Sequence, residues 1–396
     1  MNRICGRAER LPTRARPAGL RRRSGVTPAI VGAVVSAVAF AVVGLGAASQ
    51  HALARTSAVP ALAGAWQPLP PAPIGDGGVP IGVRMGRAMF VFARVAKRPP
   101  EPWSKNAAAL YTPATNSWRR LTPALGPEGN YEGSFVGAWT GKEVLVGGPG
   151  GNFAYNPKTN RWRRLPVALG GPLSVWTGRE MISWGGGCCG DAFSTGSAYN
   201  PSTNTKRALP ASPLAPAQRP IGAWTGRELI IVIGGLDPDG KAYPASFARA
   251  AAYNPTTNQW RRIARLPVAY GNPQAVWDGR RLLVVGAGTR GKATLAYNPT
   301  TNRWQARAAM PSRLGGPFAF ARPVLWTGKR MMLWRGRDGL AYNPTTNRWT
   351  ALPRWPFSAH GNVTLVWTGR ALIVWGFRNS PTPLPGVGAA FTPAIP

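Results

Sequence analysis

The chain has 396 residues, enough to bury the core of two ordinary domains or one large repeat domain. Lys and Arg outnumber Asp and Glu by 48 to 13, a net charge of +35, although charged residues make up only 15% of the chain. Only two histidines are present, His51 and His360, and His51 falls in an N-terminal segment expected to be cut away, so the single histidine left excludes a copper centre built on paired imidazoles.

Arg3, Arg7, Arg10, Arg14, Arg16, Arg21, Arg22 and Arg23 crowd residues 1–25 against a single acid, Glu9, and an uncharged stretch succeeds them over 26–48. A basic segment ahead of an apolar one is an export signal, so residues 1–25 are expected to stay in the cytoplasm and the rest to lie outside it. The apolar segment, within 26–54, is long enough for a spanning helix, which needs roughly 20 residues, but it is built from Ala, Gly and Val and is only moderately hydrophobic. Ala52-Leu53-Ala54 offers a peptidase cut before Arg55. Secretion after cleavage and retention as a single N-in membrane anchor both stay open. The arginines at 21–23 lack the apolar residues a twin-arginine signal places just after the pair, and Cys5 lies ahead of the apolar run, where no lipid is attached. Removing residues 1–54 takes away eight positive charges and one negative and leaves +28, so the basic excess belongs to residues 55–396. Residues 55–65 read as a linker and 66–396 as one repeat domain.

Two motifs alternate through that domain, as in a repeat array. The first is WTG[KR] and an apolar run, beginning at Trp139, Trp176, Trp224, Trp277, Trp326 and Trp367, with a degenerate copy, RMGRAMFVFA, at Arg84. The second is YNPTTNxW with a short basic tail, beginning at Tyr111, Tyr155, Tyr199, Tyr253, Tyr297 and Tyr342, with a truncated copy, FTPAIP, at Phe391. Both spell hairpins. Thr-Gly turns the chain with Gly at positive φ, and Asn-Pro opens a second turn that Thr-Asn closes. Each repeat therefore holds four strands, a-b and c-d, and no helical periodicity appears after Ala54.

An apolar strand ending in Gly-Gly, then Tyr, then Trp a few residues on resembles the kelch repeat, and the domain resembles the central propeller of the galactose oxidase superfamily. The chain departs from that pattern in carrying Asn after the Tyr where kelch repeats carry Asp, and in losing the doublet at Gly286-Ala287 and Gly376-Phe377. The resemblance implies an all-β, kelch-type β-propeller of four-stranded blades preceded by one N-terminal hydrophobic helix. Closing the ring without an exposed edge would pair the Trp66-Gln67-Pro68-Leu69-Pro70 fragment, which matches a strand d, with Phe391-Thr392-Pro393, which matches a strand c. That gives seven blades; six blades with irregular ends is the alternative, because the copy at Arg84 is poor. A monomer is expected.

The a-b and c-d turns fall on one face and the irregular loops on the other, where function commonly sits. In chain order, Glu128, Tyr131 and Glu132 form an acidic patch able to supply an acid/base pair. Cys188 and Cys189, adjacent in a Gly-rich loop outside the cytoplasm, are expected to form a vicinal disulfide, either a staple or a stiff platform under a ligand. Arg219, Asn272, Gln274, Arg322, His360 and Asn362 precede or open strands a and should ring the channel mouth, where they could hydrogen-bond a sugar or hold a carboxylate. Asp237 and Asp239 sit in an insertion, 236–247, too poor in oxygen ligands for calcium. No metal and no cofactor is expected.

The charges are periodic as well. Arg87, Lys142, Arg179, Arg227, Arg280, Lys329 and Arg370 come just after the a-b turns, and Arg119-Arg120, Arg163-Arg164 and Arg261-Arg262 just after c-d turns. They form either a basic ring that attracts an anionic envelope polymer or the imprint of a genome rich in Arg, Ala, Gly and Pro codons. Two functions fit these features: a noncatalytic binding or scaffold propeller at the cell envelope, contacting an anionic polymer, a glycan or a protein, or a carbohydrate-active isomerase of the sialic acid mutarotase kind, which the kelch resemblance admits. Export argues against nucleic acid as the natural partner.

Overall fold

A computed structural model describes residues 59–74, 80–96, 103–123, 135–148, 151–166, 169–187, 191–233, 249–268, 270–288, 294–311, 324–335, 337–356, 363–376 and 387–394. These residues form seven four-stranded antiparallel sheets and no helix; the expected N-terminal helix falls outside them. Blade 1 spans 81–120, blade 2 136–164, blade 3 173–208, blade 4 221–262, blade 5 270–307 and blade 6 324–352. Blade 7 joins Val363–Trp367, Leu372–Gly376 and Val387–Pro393 to the N-terminal strand Gly64–Pro68. The degenerate copy at Arg84 is thus a full blade, and the count is seven rather than six.

Every blade keeps the order a-b-c-d, as in blade 2 with Val136–Trp139, Val144–Gly148, Gly151–Asn156 and Arg161–Arg164. Strand a of each blade neighbours strand a of the next, and strand a of blade 7 neighbours that of blade 1, which closes the ring. Strands a are therefore innermost. Small residues let them converge: a Cβ on Gly137 would stand 2.7 Å from both Ile81 Cδ1 and Val83 Cγ2 of blade 1. Strands b are continuous apolar runs because blades cover both of their faces. In blade 3, Leu173, Ile182 and Ala198 pack against Leu229, Ile231 and Tyr253 of blade 4, and this inter-blade core repeats around the ring.

The two half-motifs pair as expected, with Trp66 opposite Phe391 and Gly64 opposite Pro393. The segment before this strand also contributes, from Val59 onward. Ala61 bridges Ala351 in parallel, Leu62 N–H donates to Ala351 O at 2.7 Å, and Ala351 N–H donates to Pro60 O at 2.7 Å. Val59 packs on the core between blades 5 and 6, and Leu62 on that between blades 6 and 7. A short arm thus straps blade 6 on its outer edge before becoming the last strand of blade 7.

Candidate functional site

The repeated-turn face is built from recurring local chemistry, with a-b turns in all seven blades and c-d turns in blades 1–6. In the a-b turn of blade 2, Thr140 N–H donates to Glu143 O at 2.9 Å, while Thr140 Oγ1 accepts from Glu143 N–H at 2.9 Å. Gly141 takes φ +92° at the tip, the left-handed region that glycine enters without a Cβ clash. Asp278 does the threonine's work in blade 5, accepting from the N–H groups of Arg280 and Arg281 at 2.8 and 2.6 Å. In the c-d turns, Asn116, Asn160, Asn204, Asn258, Asn302 and Asn347 all sit at φ between 45° and 57°, and each accepts a bond from the hydroxyl of the tyrosine five residues earlier, at 2.7–2.9 Å.

A ring of indoles links successive blades. Trp66, Trp118, Trp162, Trp260, Trp304 and Trp349 donate Nε1–H to the carbonyls of Pro353, Pro70, Thr122, Pro210, Ala264 and Ala308, each on the tail of the preceding blade. Blade 3 breaks the series with Lys206 at the tryptophan position. The repeated aromatics are thus packing and latching groups, with Tyr–Trp centroids 5.0 Å apart in blades 1, 2, 4, 5 and 6.

Onto this frame three consecutive blades add an ionic clasp. Arg163 Nη2 lies 2.7 Å from Glu143 Oε2, Arg207 Nη2 2.8 Å from Glu180 Oε2, and Arg261 Nη2 2.6 Å from Glu228 Oε2. Each guanidinium also reaches the buried tyrosine of the next blade: Tyr199, Tyr253 and Tyr297. The bonds from Arg261 hold the Glu228 carboxyl below its ordinary range against the opposing effect of burial. Burial pushes the Tyr297 phenol upward, with Arg261 partly offsetting it. The sequence carried the signal for these clasps: Glu comes after WTG[KR] only in blades 2–4, and there alone does Arg face it from strand d.

Around the rest of the ring the carboxylate is gone. The glutamate position holds Arg281 in blade 5, Arg330 in blade 6, Ala371 in blade 7 and Ala88 in blade 1. Arg281 pairs with Asp278 at 3.0 Å. On blades 6, 7 and 1 the turn face presents Lys329, Arg330, Arg348, Arg370, Arg84 and Arg87, and among the described residues of those blades the one acid is Asp338, paired with Arg354 at the b-c end of blade 6. Arg84 stands where the other blades carry the a-strand tryptophan, and its guanidinium lies over the blade 7 turn: a Cβ on Gly369 would be 3.3 Å from Arg84 Nη2. Arg84 thus reaches the turn that carries Arg370, with its Nε donating to Gly86 O at 2.9 Å. The expected basic ring is uneven: blades 2–4 each clasp one arginine, Arg163, Arg207 or Arg261, with a glutamate, whereas among the described residues the turn face of blades 6, 7 and 1 carries no carboxylate.

The irregular face is less completely described. Glu128, Tyr131, Glu132, Arg322, His360, Asn362, Cys188, Cys189 and the 236–247 insertion lie outside the described residues. Arg219 is exposed just before strand a of blade 4. Asn272 lies at an irregularity in strand a of blade 5, between Gly271 and Gln274, and Gln274 is half-buried with its amide donating to the Pro273 carbonyl at 2.9 Å. Arg249 is buried, its guanidinium pushed below the usual range by burial and by the charge of Arg265. Phe193, 50% exposed, is held between Gly186 and Ala217 by two backbone bonds of 2.9 and 3.0 Å. Among the described residues, no group of three or more His, Cys, Asp or Glu side chains is placed to hold a metal.

Compared with known proteins, the chain matches no family model and no curated protein.

Proposed function

We propose that the protein is a noncatalytic binding propeller of the cell envelope whose turn face engages an anionic polymer. The observation that carries this reading is the cationic arc of blades 6, 7 and 1, where Lys329, Arg330, Arg370, Arg84 and Arg87 stand without carboxylates among the described residues of that face, while each of blades 2–4 sets one glutamate against an arginine of its own, Arg163, Arg207 or Arg261. Like charges crowded at one face repel one another and raise the local potential, which lowers the free energy of a polyanion laid across them. Guanidinium forks favour the oxyanions such polymers bear. The N-terminal export pattern supplies the compartment in which polymers of that class are met.

The test is binding of the full chain to polygalacturonate, polyphosphate and neutral dextran across a salt series. The reading expects saturable binding to at least one polyanion at about 0.15 M salt, where exposed charges are screened beyond roughly 8 Å, none to dextran, and a loss of affinity in R84A/R370A that an R179A/R227A control on blades 3 and 4 does not show. Equal loss in the two double variants, or no polyanion binding, overturns it.

A further inference from the structure

We infer that Arg330 anchors a subsite for one oxyanion group, at the position in blade 6 that blades 2–4 fill with a glutamate of their own. The backbone frame is the same in both cases. Thr327 N–H donates to Arg330 O at 3.0 Å, as Thr140 N–H does to Glu143 O at 2.9 Å, and Arg330 N–H donates to Thr327 Oγ1 at 2.9 Å, as Glu143 N–H does to Thr140 Oγ1. Arg330 therefore leaves the turn where Glu143, Glu180 and Glu228 leave theirs.

The other two members of the clasp are replaced as well. Thr350, opposite Ala341, takes the strand-d place that Arg163 holds opposite Ala154, and Phe391 takes the place of the next blade's tyrosine. Thr350 donates its hydroxyl to Ala341 O, and the Phe391 ring offers no oxygen. The consequence is visible at one atom: Arg330 Nε is buried and has no acceptor among the described residues. A buried guanidinium N–H without an acceptor is among the costliest polar defects a fold can carry. The described carboxylates nearest in the ring are engaged, Asp278 with Arg281 and Asp338 with Arg354. An acceptor from outside the chain completes the site, and a carboxylate or phosphate oxygen matches the guanidinium edge best. Exposed Lys329 stands beside it in the turn.

This inference rests on reading the turn face as a polymer-binding surface, and its test separates the two. Affinities of the full-length wild type, R330M, R330K and R179M for polygalacturonate and for polyphosphate are compared at about 0.15 M salt, alongside their melting temperatures. Met keeps the apolar stem, Lys keeps the charge without the fork, and R179M removes an equal charge from the clasped half. The subsite predicts a loss of about tenfold in R330M, the size expected for one charge-assisted hydrogen bond, a smaller loss in R330K, and less than about twofold in R179M by screening of an exposed charge. The polymer whose affinity responds identifies carboxylate or phosphate as the group bound. The ligand-free R330M protein should melt no lower than wild type, since it loses an unsatisfied donor. Equal losses in R330M and R179M, or R330K indistinguishable from wild type, overturn the subsite and leave the polymer-binding reading standing; a wild type that binds neither polymer overturns both.

Discussion

Arg207 of blade 3 donates from Nη1 to the hydroxyl of Tyr253 in blade 4 at 2.7 Å. The guanidinium belongs to one blade and the phenol to the next, so each clasp both neutralises a carboxylate and ties two sheets together. A cation bound to the structure in this way is not available to a ligand, which sets Arg163, Arg207 and Arg261 apart from the basic residues at the tips of the a-b turns.

Acidification should release the clasp of blade 4. The Glu228 carboxyl is held below its unfolded value of about 4.3, so its contribution is present above that pH and is lost as pH falls through the folded value. Glu228→Gln should be less stable than wild type at neutral pH by about 1 kcal/mol, the size for a partly exposed fork. Chemical denaturation should show the gap closing between about pH 5 and the acid limb, by about 1 kcal/mol. A gap that stays constant would mean the carboxylate is not engaged.

The left-handed asparagines give a second test. Asn302 accepts from Tyr297 at 2.9 Å and from the backbone N–H of Ala264 in the preceding blade at 2.8 Å. Asn302→Gly keeps the conformation and loses both bonds, a cost of about 1–2 kcal/mol. Asn302→Ala loses the bonds and adds left-handed strain of about 1–2 kcal/mol. Urea midpoints should rank wild type above Gly and Gly above Ala; reversal of the last two would show that the backbone does not need φ 52° there.

Lys206 marks the seam where the indole latch is missing. Lys206→Trp should place a ring beside Tyr199 and an Nε1–H toward the tail of blade 2, stabilising the protein by about 1 kcal/mol. A rise in melting temperature is expected. A fall would mean that the contacts of Lys206 outweigh an aromatic latch.

The arm at 59–62 predicts one protected amide on an otherwise open edge. Ala351 N–H donates to Pro60 O, so its hydrogen exchange should be slow in the wild type. Leu62→Pro removes the Leu62 N–H that donates to Ala351 O and should accelerate exchange at Ala351 by about tenfold or more, on the order of one lost hydrogen bond. Unchanged exchange would show that the arm does not hold the edge.

The fold was legible because its signals are local and repeated. Thr-Gly and Asn-Pro-x-Thr-Asn specify turns within a few residues, and seven approximations to one pattern make even the poor copy at Arg84 readable as a blade. The pairing of Trp66 with Phe391 came from matching two half-motifs. Glu143 and Arg163 were each visible, but their contact depends on which way two strands face across a sheet, and the reach from Arg207 to Tyr253 depends on how neighbouring blades pack. Reading every arginine as part of one even ring missed this, although the loss of Glu from blades 5, 6, 7 and 1 was written in the repeats. The irregular face offered no copies to compare, so Arg219, Asn272 and Gln274 could be placed near strand starts but not beside one another.

The closing strand also decides how the ring would respond to a mechanical load. Gly64–Pro68 lies antiparallel to Val387–Pro393 and is preceded by the parallel bridge at Ala61. Tension applied at Val59 along the strand would be met in shear, by several interstrand hydrogen bonds at once, with the bonds between the arm and Ala351 yielding first. Peeling from the side would instead break the same bonds singly. The ring should therefore resist being pulled along its seam better than being unzipped across it.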